Sequence, residues 1–535
     1  MFDFIVVGAG SAGCVLANRL SENPQHKVLL LEAGPNDKHP MVHMPGGAAE
    51  VLKSNKMNWQ MYTVPQKALD NRRLYVPRGK LLGGSSSLNG MVYIRGHRWD
   101  YDHWQELGND GWSYADVLPY FKRSEDNERG ASLYHGAGGG LKVSNAPCEH
   151  ILFDKFIEAG LELGYQPTDD FNGAEQEGFA RYQATLRNGK RCSSAAAFLG
   201  PEVRARLNLT IIPGAHVTKL ILSGNRVTGV EYKQGRKLRQ AGAKQEVVLA
   251  AGAIKSPHIL QTSGIGRRED LERAGIKRLK ELPGVGHNLQ EHLDILVNFT
   301  CTKPITMNAA ATRLHLQAKT AFEYFVLGKG IAACNLIEAG GFVKSAPEMA
   351  IPDIQLHFIP ILMHGLIDPI PKQHGVSVHA CNLRPQSRGT VLPANADPLA
   401  SPLVDYDFLD NEADWKVMER CYEIVRDIAQ AKAWDGLIGE PSRPSAHLTD
   451  KERIREFLRK VCETVYHPVG TCKMGNDEQA VVDHELRVRG LEGLRVADAS
   501  IMPTLIGGNT NAPSIMIGEK CADMMLGRRL PPEKL

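Results

Sequence analysis

No uninterrupted apolar run in this chain reaches the ~20 residues needed to span a hydrocarbon core, so no membrane-crossing helix is expected. Cysteine is sparse: the ten in 535 residues form no C-x-x-C pair and no set at zinc-ligand spacing. That speaks against a disulfide framework and a metal centre, and points to a reducing compartment, the cytoplasm. The net charge is only +3, and the densest basic stretch, Lys233 to Arg239, has no interleaved aromatic to stack on a base. Nucleic-acid binding is therefore not expected, and this stretch is predicted to be a solvated hairpin turn. The first residues, FDFIVVGAG, lack the basic n-region and cleavage site of a signal peptide, so the chain is expected to start directly in a strand. Internal repeats and low-complexity tracts are absent, and contact with a membrane surface is left open.

What is present fits a large folded protein. An apolar fraction of 43% suits a globular chain, and 535 residues exceed what one core usually organises, so two regions sharing an interface are expected. Residues 1 to 35 read as strand, glycine turn, helix and strand. The polar, glycine-rich PRGKLLGGSSSLNG that follows later has too little periodicity for a regular element and is expected to wrap a ligand. Two β-rich runs lie between Leu209 and Val230, and strand resumes at Val247 to Ala250 before the turn AGA and a helix. From Phe299 the texture changes: Ile354, Leu356 and Phe358, then Val376, Val378 and Ala380, alternate with polar neighbours as half-buried antiparallel strands do. A helix is predicted from Glu412 to Ala429, with Trp415, Met418, Tyr422 and Val425 on one apolar face. After Val461 the chain turns glycine-rich again and ends with a strand at Leu494 to Val496 and a long helix from Ser514. The fold class is α/β: a discontinuous Rossmann-like domain from 1–150, 200–298 and 462–535, and a second α+β domain on an antiparallel sheet from 151–199 and 299–461.

Gly8, Gly10 and Gly13 form G-x-G-x-x-G between the first strand and helix, and Glu32 closes the next strand about 20 residues on. The first glycine permits the turn, the second lets backbone amides approach a pyrophosphate, and the third brings the helix close to the sheet. Ser11 and Ala12 within the fingerprint, and Ala33 after the acid, belong to the same candidate site. An acid at position 32 suits an unphosphorylated ribose, as in FAD or NAD, and the fingerprint alone does not choose between them.

Four further blocks do. GKLLGGSSSLNGMVYIRGHRWDYDHW (79–104), GAIKSPHILQTSGIG (252–266), YHPVGTCKMG (466–475) and DASIMPTLIGGNTNAPSIMIGEK (498–520) resemble, in order, the motifs of the glucose-methanol-choline (GMC) family of flavin oxidoreductases. A loop so rich in Gly and Ser also offers an extended cofactor many amides and hydroxyls without crowding it. The resemblance implies FAD, with Gly79, Gly83, Ser87, Asn89, Gly90, Met91 and Val92 along it. It puts Val217 at the adenine, Ala251 and Asp498 near the ribose and the ribityl chain, and Tyr466 and Ala499 among the cofactor-binding residues. Some relatives attach FAD through a histidine before the signature asparagine; here that position is Leu88, which cannot form the bond, so dissociable FAD is expected.

The resemblance also implies chemistry: oxidation of a primary alcohol, with His467 taking the hydroxyl proton while hydride leaves for the flavin. Asn511 aligns with the second active-site position, and Pro513 suits the first turn of a helix whose positive end would favour reduced flavin. The stretch Ile305 to Ala318 contains Arg313 and no Phe, Tyr or Trp, while 352–367 is strongly apolar. A cage for a quaternary ammonium is thus not evident, and a neutral alkyl or aryl alcohol is expected, with choline as the alternative. Glu338 in IEAGGF could bind a cationic substrate but more readily shapes the second sheet; His97 and His364 read as structural. The electron acceptor, whether a quinone, a dye-like acceptor or O2, is not specified, so an alcohol oxidase is a further alternative, and a redox-silent hydroxynitrile lyase is a remaining one.

Overall fold

Six residues, FDFIVV, form the strand Phe2–Val7, buried over its last four positions, and Gly8 turns the chain at φ +98°. In the computed structural model, which describes residues 1–444 and 446–535, this strand sits inside a seven-stranded sheet. Leu209–Pro213, Val28–Glu32, Phe2–Val7 and the second half of Lys237–Leu249 run parallel, and Leu494–Val496 joins them parallel at the far side. The first half of Lys237–Leu249 instead pairs antiparallel with Arg226–Gln234, which pairs with Ala215–Ser223. The expected basic hairpin turn falls here, with Gly235 at φ +60° between the two strands. VLLLE (Val28–Glu32) is buried at every residue, as a parallel strand covered on both faces must be. The helices Ser11–Leu20 and Asn511–Met525 pack so closely that a Cβ at Gly518 would stand 2.7 Å from the Ala12 carbonyl oxygen.

A second sheet of seven strands is antiparallel, in the order Ile438–Arg443, Leu293–Cys301, Gly375–Asn382, Ile354–Ile359, Ala339–Val343 and Gly178–Arg181. Glu463–Thr464 adds to the start of Leu293–Cys301. The division expected between 298 and 299 runs through that strand: no turn residue interrupts LDILVNFTC, and its first seven residues are buried. Ile354–Ile359 is buried on both faces rather than one. On one side Leu356 and Phe358 share a core with Met418, Tyr422 and Val425 of the helix Glu412–Ala429, which has the bounds its periodicity predicts. On the other, His357 lines the central cavity.

The helix Leu314–Leu327 contrasts with the rest, having no buried residue and leaving Leu314, Phe322, Phe325, Val326 and Leu327 exposed. Among the described residues no helix is long and apolar enough to cross a membrane.

Candidate active site

The two sheets enclose a cavity of about 810 Å³, large enough for an extended cofactor or a drug-sized ligand. Its first wall is the nucleotide fingerprint. A Cβ on Gly8 would lie 2.6 Å from the Ala250 carbonyl oxygen and one on Gly13 1.9 Å from that of Gly8, so neither position accepts a side chain. A Cβ on Gly10 would meet only the Ala250 oxygen, at 3.8 Å, because that glycine opens onto the cavity. No side chain caps the helix beginning at Ser11, so its first amides are free to face an anion. Glu32 accepts from the amides of Ala9 (3.0 Å) and Gly34 (2.8 Å), and burial pushes its carboxyl up to about 7. Asp498 is held likewise by Gly252 N and Ser256 Oγ on one oxygen and Ser500 N on the other.

Opposite lies the YHPVG turn. Tyr466 adopts φ +69°, uncommon for a bulky residue, and is pinned there because its amide donates to Thr464 Oγ1 (2.9 Å) while its carbonyl accepts from Arg78 Nη2 (2.6 Å). The next amide, of His467, donates to Glu291 Oε1 at 2.7 Å, so the turn delivers the imidazole to the cavity wall. His467 Nδ1 lies 3.0 Å from His292 Nδ1, and His292 Nε2 lies 3.1 Å from the Ile506 carbonyl oxygen. A carbonyl only accepts, so His292 Nε2 carries hydrogen; burial pushes His292 down to about 3, so it is neutral and its Nδ1 accepts. His467 Nδ1 must then donate, which leaves Nε2 unprotonated and able only to accept. That nitrogen faces Asn509, whose Nδ2 donates to it at 3.2 Å and whose Oδ1 accepts from Gln355 Nε2 at 3.1 Å. Burial, with His292 and Arg78 nearby, holds His467 well below the usual imidazole range.

Of the residues singled out in the sequence, Gly8, Gly10, Ser11, Ala12, Glu32, Ala33, Gly79, Asn89, Gly90, Met91, Val92, Val217, Ala251, Tyr466, His467, Asp498, Ala499 and Asn511 line this one cavity. Gly13, Gly83, Ser87 and Pro513 do not, and each has a supporting position instead. Ser87 Oγ turns back to the Leu82 carbonyl (2.9 Å), and Gly83, at φ +91°, donates its amide to Ala9 O (2.7 Å). Pro513 is buried in the first turn of Asn511–Met525. Asn511, aligned with the second active-site position, lines the cavity, but the asparagine in contact with the imidazole is Asn509. Asn511 opens the helix, and its Oδ1 accepts from Ser11 Oγ (2.7 Å), which ties the two helix N-termini together. Glu338 is fully buried against Arg181, outside this cavity, and His97 caps the helix Arg98–Glu106. His364, read as structural, lies on the cavity wall.

Four residues missed in the sequence complete the site. His292, Glu291 and Asn509 reach His467 only through tertiary contacts. Arg191, buried with no acid beside it and pushed down to about 9, donates to both the carbonyl and the side-chain oxygen of Asn89 at 2.7 Å. A basic residue inside RCSSAAAF offers no local sign of that role.

Comparison with known proteins agrees with this arrangement. Residues 2–294 match the model of the N-terminal GMC oxidoreductase domain, and 385–518 that of the C-terminal one. The chain is 41% identical over 528 residues to an oxygen-dependent choline dehydrogenase of Brucella suis biovar 1 (strain 1330), covering 98% of this chain and 96% of that protein. Among solved structures it is similar to pyridoxine 4-oxidase from Mesorbium loti (TM-score 0.89, 31% identity, 98% of each chain). It is also similar to a formate oxidase of Aspergillus oryzae RIB40 studied for modification of its FAD (TM-score 0.91, 27% identity, 98% of each chain). With the fingerprint, the enclosed cavity and both domain matches in hand, this chain belongs to the GMC oxidoreductase family.

Proposed function

We propose that this protein oxidises a neutral primary alcohol with an alkyl or aryl body to the aldehyde, using dissociable FAD and His467 as base. The observation that carries the reading is the unprotonated Nε2 of His467, facing the cavity and fixed in its tautomer by His292 and Ile506 O. The wall fits the cofactor: the open face of Gly10, the uncapped helix at Ser11 and the Glu32 carboxylate suit a pyrophosphate and an unphosphorylated ribose. Bound FAD would supply the two-electron acceptor for the hydride. The chain supplies the rest. His467 Nε2 accepts the hydroxyl proton, Asn509 Nδ2 donates to the oxygen as it gains alkoxide character, and the enclosed wall excludes water. Leu88 on the wall has no nucleophilic atom, which supports release of FAD on denaturation.

The substrate assignment rests on the walls beyond His467. Leu88, Leu336, Ile337, Ile359, Ile361 and Met363 make them apolar, and the aromatic side chains among the described lining residues are Tyr466 and Trp59. Trp59 is taken, with Lys80 and Lys255 ammonium groups 4.6 and 4.7 Å from its ring centre. Choline is the second reading, favoured by the choline dehydrogenase relative and by two wall carboxylates, Asp294 and Glu463. Glu463 is already paired with Arg72 (2.5 Å), and Asp294 meets His379 through Oδ2 (2.5 Å) while its buried Oδ1 has no partner. Ten free cysteines support a reducing compartment, the cytoplasm. Steady-state kinetics on aliphatic alcohols, benzylic alcohols and choline, with O2 uptake compared against dye reduction, test substrate and acceptor together. A kcat/KM for choline well above every neutral alcohol would overturn the preference.

A further inference from the structure

Away from the active site, three donor groups from two distant segments of the chain converge: the thiol of Cys148 with the thiol of Cys334 and the carboxylate of Glu338, with ligand atoms all within 4.8 Å of one another. We propose that they form a binding site for one thiophilic divalent cation of the zinc class. The carboxylate is fully buried, and only one of its oxygens has partners. Oε2 accepts from Cys148 N (2.8 Å) and Arg181 Nη2 (3.0 Å), whereas Oε1 has none although it is sealed from water. An orphaned buried carboxylate oxygen is costly, and a cation beside it removes the cost.

The donor set suits a soft d10 ion, which prefers thiolate and accepts a carboxylate as third ligand. Two thiolates and one carboxylate carry three negative charges. Arg181, whose guanidinium also stacks 4.5 Å from the Phe153 ring centre, supplies one positive charge and the cation two, so the loaded site is neutral. Loading releases the two thiol protons to solvent, and no oxidant is required. Access exists: Cys148 is partly exposed and lines a second cavity of about 570 Å³, with Asn145, Glu149, His150 and Asp154, from which water can complete a tetrahedral shell.

The site is coupled to the catalytic cavity by chain continuity. Cys334 precedes Asn335, whose Nδ2 donates to Gly90 O (2.9 Å) beside the flavin loop, and Leu336 and Ile337 line the substrate wall. A cation tying Cys334 to Cys148 therefore stiffens the segment that shapes that wall. Local spacing could not show it, because the ligands come from a coil before the helix Ile151–Glu162 and from a turn before the strand Ala339–Val343.

The test uses reduced, chelator-treated holoenzyme titrated with cadmium and with zinc, reading the ultraviolet thiolate-to-cadmium band, metal per chain and the melting temperature. One equivalent bound, a raised melting temperature, and at least tenfold weaker binding in C148S and in C334S are expected. Glu338→Gln, which keeps the size of the side chain, should weaken binding while retaining the band. Equal binding by wild type and both serine variants would overturn the site. So would failure of reduced wild type to take up metal while peroxide removes two thiols, which would identify a disulfide pair instead.

Discussion

His292 and His467 meet edge to face, with their Nδ1 atoms 3.0 Å apart and ring planes at 88°. The direction of that hydrogen bond is settled by a third group, Ile506 O, which forces hydrogen onto His292 Nε2 and so makes His467 the donor. A backbone carbonyl thus dictates which nitrogen of the base is basic.

Replacing His467 by Ala removes the proton acceptor and should lower kcat by about 100- to 10,000-fold, the usual worth of a positioned base. FAD content should be unchanged, since the imidazole contacts Asn509 and His292 rather than the nucleotide fingerprint. Flavin absorbance per chain and stopped-flow reduction check the two halves separately.

His292 acts through His467 and is a positioning residue. His292→Phe keeps the bulk but abolishes the acceptor, and a kcat loss of about 10- to 100-fold is expected, the range seen when a group orienting a ligand or base is lost. The pH profile distinguishes this from general disruption: with its Nδ1 partner gone, His467 should show an altered acid limb in kcat/KM.

The pH dependence of the wild type has a defined sign. His467 is held below its ordinary value of 6.5, so it stays unprotonated through neutrality, and kcat/KM should be flat there and fall only in acid. Stability follows the same direction. His216 is pushed down to about 4, and His258, His292 and His357 to about 3, each chiefly by burial. Below about 6.5 each of these imidazoles binds more protons unfolded than folded, so the stability it contributes above that pH is lost progressively as pH falls toward 3 to 4, partly offset between about 7 and 4.5 by the buried carboxyls of Glu32 and Glu291, which burial pushes up to about 7. Melting temperatures between pH 8 and pH 4.5 should be level at first and then decline.

Gly10 and Gly13, three residues apart, give a contrast. Gly13→Ala places a Cβ 1.9 Å from Gly8 O and should prevent stable folding, whereas Gly10→Ala meets nothing closer than 3.8 Å and should fold. The Gly10 variant nevertheless puts a methyl where the pyrophosphate approaches, so it should purify as apoprotein with sharply weakened FAD affinity. Circular dichroism and flavin content separate the cases.

Much of this was readable from local pattern. Gly8, Gly10, Gly13 and Glu32 fall within one strand-helix-strand unit, where spacing alone dictates geometry, and the apolar period of Glu412–Ala429 returned the helix residue for residue. The sidedness of the GGSSSLNG loop was not readable, because Gly and Ser look alike whether they face the cofactor or the body; Ser87 faces Leu82 O. Nor was the choice between Asn509 and Asn511. It depends on the helix starting at Asn511, which turns that side chain to Ser11 and leaves the preceding asparagine for His467. His292 and His467 are 175 residues apart, and no window of sequence relates them.

The central claim is that His467 Nε2 takes a hydroxyl proton while an alcohol reduces the flavin. Anaerobic titration of the yellow holoenzyme with a panel of alcohols, beside the H467A variant, addresses it directly. The account predicts complete bleaching of the flavin absorbance by a neutral primary alcohol in the wild type, and bleaching at least about 100-fold slower in the variant. A flavin that stays oxidised with every alcohol, or equal rates in the two proteins, would contradict it.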